Sequence, residues 1–270
     1  MANLLSLPIE FLPFRNQEFY FKMLLKQKIR KSLIHAAFTL NFPPAKKVLS
    51  SFTEDVDKLR QQIFERYNIT VVFDVGANIG QYAKCLQHSG YKGRIISFEP
   101  LNNEREILSK SAKLFNNWVL LPFAVGDFNQ KSVINISGNS ASSSVLKMKL
   151  THETAAPQSK FVGTQEIEVR TLDSLYGDYI NKADNIYLKI DTQGYEWQVL
   201  KGAEKFLESV TGLELEMSFE QMYDGEKIFD ELYGFILSQG FRLLNIRPML
   251  TNPTNMQLLQ ADCIFIRVKS

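Results

Sequence analysis

The sequence predicts an α/β fold: a doubly wound, mostly parallel seven-stranded sheet with an antiparallel last strand, preceded by N-terminal helices. Three observations predict it. Apolar runs followed by helical periodicity recur at Val71–Val75, Arg94–Phe98, residues 118–123 and Ile186–Ile190. Such strand–helix alternation favours parallel strands joined by right-handed crossovers. A fifth strand is expected over residues 211–217. Two more, 241–246 and 262–268, are separated by a segment holding Pro248, Asn252 and Pro253. That segment is too short for a crossover helix, so the last two strands must pair antiparallel.

The chain has 270 residues, 45% hydrophobic and 22% charged, which suits one large globular core. The net charge of +2 asks for no polyanionic partner. It is unevenly spread: residues 1–50 hold eight Lys or Arg and two Glu. Cys85 and Cys263 sit in apolar patterns without Cys-x-x-Cys spacing, so neither a disulfide framework nor a zinc site is expected. The first ten residues lack a basic start and a long apolar run, and no stretch approaches the ~20 apolar residues of a membrane span. A cytoplasmic protein is the expectation, with neither a nucleic acid nor a membrane as partner.

Two segments are expected, an N-terminal helical extension over 1–52 and a catalytic domain over 53–270. Residues 17–40 carry apolar positions at helical spacing, with Lys22, Lys26, Lys28, Arg30 and Lys31 on the other face. Packing of that helix on the domain is favoured over attachment to an anionic surface. A second helix, 53–67, leads into the first strand. Helices are also expected over 102–115, 195–207 and 225–239. Residues 131–137 and 165–171 alternate like strands. They flank the run Gly138-Asn139-Ser140-Ala141-Ser142-Ser143-Ser144, whose composition reads as a mobile loop.

The chemistry centres on Val71-Val72-Phe73-Asp74-Val75-Gly76-Ala77-Asn78-Ile79-Gly80. A strand that breaks at a glycine and opens a helix points backbone N–H groups at a ligand above the sheet. Gly76 permits the sharp turn, and Gly80 lets a ligand approach the backbone. Glu99 closes the second strand, where an acid can hold a ribose diol. A dinucleotide pyrophosphate wants G-x-G-x-x-G, but the second and third positions here are Asn78 and Gln81. A cofactor without phosphates does not need those glycines.

The loop from Phe73 to Gly80, followed by Phe98-Glu99-Pro100, resembles the first two motifs of class I S-adenosylmethionine-dependent methyltransferases. Lys189-Ile190-Asp191-Thr192-Gln193-Gly194-Tyr195-Glu196, with Leu200-Lys201-Gly202-Ala203 after it, resembles the most characteristic motif of the FkbM family. The serine-rich insertion and Thr171-Leu172-Asp173 also fit. Thr192-Gln193 departs slightly, standing where acidic or apolar residues are common. The resemblance implies S-adenosylmethionine as cofactor, held by Asp74, Gly76, Asn78, Gly80, Glu99 and Asp127. Asp74 would receive the cationic methionine end. Asp127, at the end of the third strand, would accept from the adenine amino group; a simple turn role is an equal alternative. The resemblance also implies O-methylation of a sugar or secondary metabolite.

A hydroxyl acceptor needs a base near the sulfur, and Asp191, Glu216 and His152 are the candidates. Asp191 can equally cap the next helix. Lys189 is a partner of these acids or a solvent contact, and Glu196 is placed to cap a helix. Asp191 with Glu216 could hold a divalent ion, but no ligand triad is visible and no metal is expected. Two other functions fit the pattern less well. A nicotinamide-dependent oxidoreductase lacks the glycines and a Tyr-x-x-x-Lys pair. A catalytically inactive Rossmann-like binding module would have little use for intact acids at Asp74, Glu99 and Asp191.

Overall fold

The computed structural model describes residues 58–268. The expected helix over 17–40, the extension over 1–52 and the start of the helix over 53–67 lie outside the described residues. The chain is helical over residues 58–66. The compact unit that carries the sheet begins at Gln61.

Seven strands form the main sheet: β1 (Val71–Val75), β2 (Arg94–Phe98), β3 (Trp118–Leu121), β7 (Ile186–Ile190), β8 (Val210–Ser218), β9 (Phe241–Thr251) and β10 (Leu258–Arg267). Their order is β3-β2-β1-β7-β8-β10-β9. β10 runs antiparallel to both neighbours, and the other pairs are parallel. The order reverses between β1 and β7, and in an open α/β sheet the crevice beyond the strand ends at that point receives ligands.

α1 (Gln81–His88) and α2 (Asn102–Ala112) follow β1 and β2. α3 (Leu150–Ala155) and α4 (Leu172–Leu175) are short. α5 (Glu196–Lys201) and α6 (Glu204–Ser209) lead from β7 to β8, and α7 (Phe229–Ser238) precedes β9. Phe73, Leu188 and Ile190 of the central strands pack with Val199, Phe206, Leu232 and Ile236 in one apolar core. Alternation along the strands sends Asp74, Lys189 and Glu214 to the other face. There they are register partners across β1, β7 and β8.

Three differences from the sequence reading have physical causes. The third strand stops at Leu121, because Pro122 cannot donate to a ladder. The chain then changes sheets. β4 (Ala124–Val125), β5 (Gln130–Ser137) and β6 (Phe161–Arg170) form a separate sheet in the order β4-β6-β5.

The single helix expected over 195–207 is two, broken at Gly202-Ala203. A Cβ on Gly202 would lie 1.9 Å from the carbonyl oxygen of Gly126, so the break is a packing point. Asp173 restarts the helix by accepting from the amides of Phe206 (2.8 Å) and Lys205 (3.2 Å). The Thr-Leu-Asp and Lys-Gly-Ala runs are thus two halves of one joint.

The serine-rich run is not a loosely solvated loop. Ser142 and Ser144 are buried. Asn139 bonds the hydroxyls of Ser142 and Ser159, and the amide of Asn135 is bonded to Ser144. The polarity that suggests exposure is used internally.

Candidate active site

The glycine loop between β1 and α1 has left-handed backbone at Gly76 (φ 76°), Asn78 (φ 50°) and Gly80 (φ 83°). A Cβ on Gly80 would press on the Trp118 ring at 3.1 Å, so Gly80 is required by its backbone and by that ring, beyond any ligand. Gly76 backs onto β7: a Cβ there would fall 1.9 Å from the carbonyl oxygen of Asp191. The amide of Asp191 in turn bonds the carbonyl of Val75 at 3.0 Å. The expected cofactor loop and the expected base therefore share a wall.

Glu99 braces the loop. Its Oε2 accepts from the amide of Asn78 at 2.7 Å and its Oε1 from the amide of Leu101 at 2.8 Å. The residue is 5% exposed. Burial pushes its pKa up to about 7, against the pull of those two amides. Each carboxylate oxygen has a second lone pair, so the group can still accept from a ligand.

Asp74, expected to receive a cationic ligand directly or through water, is turned inward. It is 0% exposed. Its Oδ2 accepts from Ser97 at 3.1 Å, and Ser97 in turn accepts from the Trp118 indole at 2.9 Å. Oδ1 lies 3.4 Å from Lys189 Nζ. Burial raises the Asp74 pKa, and Lys189 works against that shift. Lys189 sits between acids: its Nζ is also 3.5 Å from Asp191 Oδ2 and 3.4 Å from the carbonyl oxygen of Gly76. Burial opposes its charge, but Asp191, Asp74, Glu214 and Asp262 together raise its pKa. Lys189 is accordingly an ammonium that ties the underside of β1 to the rim of β7.

Asp191 stands just beyond β7 with 41% of its side chain exposed. Glu216 is on β8. Gln193 joins them: its Nε2 donates to Asp191 Oδ1 at 2.8 Å and to Glu216 Oε2 at 3.0 Å. Glu216 Oε2 also accepts from Gln260 at 3.0 Å. His152 is elsewhere. It is buried on α3, edge-on to the Tyr223 ring with centroids 5.1 Å apart. Asp127 lies in the turn between β4 and β5, past the end of β3, which the change of sheet moves off the third main-sheet strand.

Residues 74–243 match the family model described as Methyltransferase FkbM domain. The chain belongs to the FkbM methyltransferase family. No curated protein matches it in sequence. Solved structures of similar fold include an rRNA methylase from Streptococcus thermophilus, at 13% identity, TM-score 0.41, covering 74% of this chain and 88% of that one. Another is magnesium protoporphyrin IX methyltransferase from Synechocystis PCC 6803 with bound SAM, at 10% identity and TM-score 0.45, covering 99% of this chain and all of that one. A third is fibrillarin from Aeropyrum pernix, at 9% identity and TM-score 0.40, covering 72% and 66%.

In this FkbM methyltransferase Glu196 closes the turn after Asp191. It accepts from the Thr192 amide at 2.8 Å and the Thr192 hydroxyl at 3.1 Å. Burial, with Glu226 nearby, pushes its pKa to about 8. Sequence reasoning weighed Lys189 without fixing its role and missed Gln193, Ser97 and Tyr223. Gln193 was visible only as a departure from the motif. Among the described residues no three His, Cys, Asp or Glu side chains gather as a metal site would need, and no helix is long and apolar enough to cross a membrane.

Proposed function

We propose that this methyltransferase moves a methyl group from S-adenosylmethionine to a hydroxyl of a small acceptor, a sugar or a natural product. The observation that carries the reading is the shared wall between Gly76 and Asp191. That backbone contact sets Asp191 next to the glycine loop, which supports reading its carboxylate as a neighbour of whatever the loop binds.

The residues suit the donor. The loop 76–80 offers backbone groups and no cluster of phosphate-binding glycines. Glu99, fixed by Asn78 and Leu101, keeps acceptor capacity for a ribose diol. Asp127 is the candidate for the adenine edge. Asp74 shapes the loop from beneath through Lys189 and Ser97. When bound, S-adenosylmethionine supplies a methyl already activated on a sulfonium. The protein's task is then alignment and proton removal. Asp191 orients the acceptor hydroxyl and takes its proton at Oδ2, the oxygen that Gln193 does not use. Lys189 Nζ stands 3.5 Å from that oxygen and helps to fix its position. Glu216 holds a second polar group of the acceptor.

Calorimetry with S-adenosylhomocysteine and with NAD tests the donor assignment. Binding of the first and not the second is expected; the reverse would return the fold to nicotinamide chemistry.

A further inference from the structure

We propose that Gln193 is a positioning residue of the acceptor side. Its amide sets Asp191 and Glu216 side by side as a two-carboxylate cradle for one acceptor, and the serine-rich segment holds that amide in place. The proposal rests on the methyltransferase reading above.

Two carboxylates within reach of one nitrogen repel each other, and a shared donor offsets the repulsion. Gln193 Nε2 gives one hydrogen to each. The amide cannot be reversed, because both neighbours are acceptors and its Oε1 already accepts from the Tyr223 hydroxyl at 3.1 Å. That hydroxyl lies equally close to the Ser142 carbonyl and shares its hydrogen between them. The backbone carbonyl of Gln193 accepts from Ser144 Oγ at 2.7 Å. The turn itself is costly: Gln193 has φ 57°, a left-handed conformation that glutamine rarely adopts. Such strain persists where surrounding contacts over-determine it, and here those contacts aim one amide at two acids. Gly194 permits it by lying flat on the Tyr223 ring, where a Cβ would be 2.8 Å from the ring carbon Cδ2.

The same segment reaches the donor side. Asn78 of the glycine loop donates to Ser140 Oγ at 3.2 Å, four residues before Ser144. One short stretch thus touches the donor loop and the turn that aims the acids. The charged and titratable groups around the pair are Lys189 on β7, Asp74 on β1, Glu214 on β8, Asp262 on β10 with its partner Arg247 on β9, Glu196 on α5, Glu226 and Tyr223. Lys189 reaches Asp191 directly and Gln260 also donates to Glu216 Oε2 at 3.0 Å, while Gln193 is the donor that touches both acids.

The test uses the full chain with Gln193→Leu, which keeps the size and removes both donors. Without acceptor, the side-chain amide resonances of Gln193 are identified in the wild type by their loss in this variant. Asp191→Asn and Glu216→Gln are each expected to move one of the two hydrogens; hydrogens that ignore both changes overturn the proposal. With labelled S-adenosylmethionine and pooled neutral polyhydroxyl acceptors, Gln193→Leu is expected to lower kcat about 100-fold, the size of a small misplacement. KM for S-adenosylmethionine should stay within about twofold. Unchanged kcat overturns the proposal. If Gln193→Leu no longer binds S-adenosylhomocysteine, Tyr223→Phe replaces it, with a several-fold fall in kcat expected and an unchanged kcat overturning the idea. Failure of the methyltransferase reading looks different: the wild type then binds neither S-adenosylmethionine nor S-adenosylhomocysteine, while the amide resonances still report the cradle.

Discussion

Gly76 and Asp191 meet back to back: a Cβ on the glycine would lie 1.9 Å from the carbonyl oxygen of the aspartate. The contact joins the ends of β1 and β7, and nothing larger than hydrogen fits between them. Gly76→Ala should therefore displace β7 or the loop, besides forcing alanine into a left-handed conformation that alone costs roughly 1–2 kcal/mol. A clear fall in melting temperature and loss of S-adenosylhomocysteine binding are expected. Wild-type melting and binding in this variant would mean the approach is not as close as described.

Glu99 carries a pH prediction. Its pKa stands near 7, above the ordinary 4.5, chiefly through burial. The carboxylate is the form that accepts from a diol, so donor affinity should weaken as pH falls through about 7. Glu99→Gln should bind more weakly by about 1–3 kcal/mol at neutral pH and lose the pH dependence. Calorimetry between pH 6 and pH 8, a range of about two units around that value, checks both. A flat wild-type profile would contradict the assignment.

Glu196 gives the corresponding prediction for stability. Its pKa is raised from 4.5 to about 8, so the folded chain binds a proton that the unfolded chain has released. Stability from this group is full below about 4.5 and is lost as pH rises through about 8. Glu196→Gln keeps an acceptor for Thr192 and removes the charge, so its denaturant midpoint should fall less over that window than the wild type's. Parallel pH dependence in both chains would place the titration elsewhere.

Asp191→Asn separates a chemical role from a structural one. The helix after Asp191 has no side-chain cap, so a structural role means holding Gln193 and Lys189, and it predicts that stability and rate change together. A base predicts unchanged stability with turnover down roughly 10²–10⁴-fold. Activity of the wild type that survives EDTA then leaves the base and removes a metal. Normal turnover in the variant would take Asp191 out of the mechanism and leave Glu216.

What the sequence carried was what neighbours along the chain decide. The run from Val71 to Gly80, the acid at Glu99 and the strand before Asp191 are local patterns, and their strand–helix alternation carries the mostly parallel sheet. The rest depends on contacts between distant residues. The third strand ends at Leu121 and the chain enters a second sheet within a few residues, so Asp127 sits in a turn after Ala124–Val125 and not directly at the end of β3. The helix break at Gly202 exists because Gly126 lies against it, and no periodicity in residues 195–207 reveals that. Asp74 reads as a ligand-facing acid in the sequence, but it is fully buried, with Ser97 bonded to one oxygen and Lys189 3.4 Å from the other. His152 is buried and set edge-on to Tyr223, a packing that its place in the sequence does not reveal. Gln193 gained a role only when β8 and the serine-rich segment were folded around it.

The central claim, transfer of a methyl group to oxygen, is tested most directly by where the carbon goes. The full chain is incubated with S-adenosylmethionine carrying a ¹³C methyl and a pool of hydroxylated small metabolites, and the product is read by ¹³C NMR. One new methyl signal is expected in the O-methyl region, absent or strongly reduced with Asp191→Asn. A signal in the N-methyl or C-methyl region, or label that appears only when RNA is supplied, would contradict it.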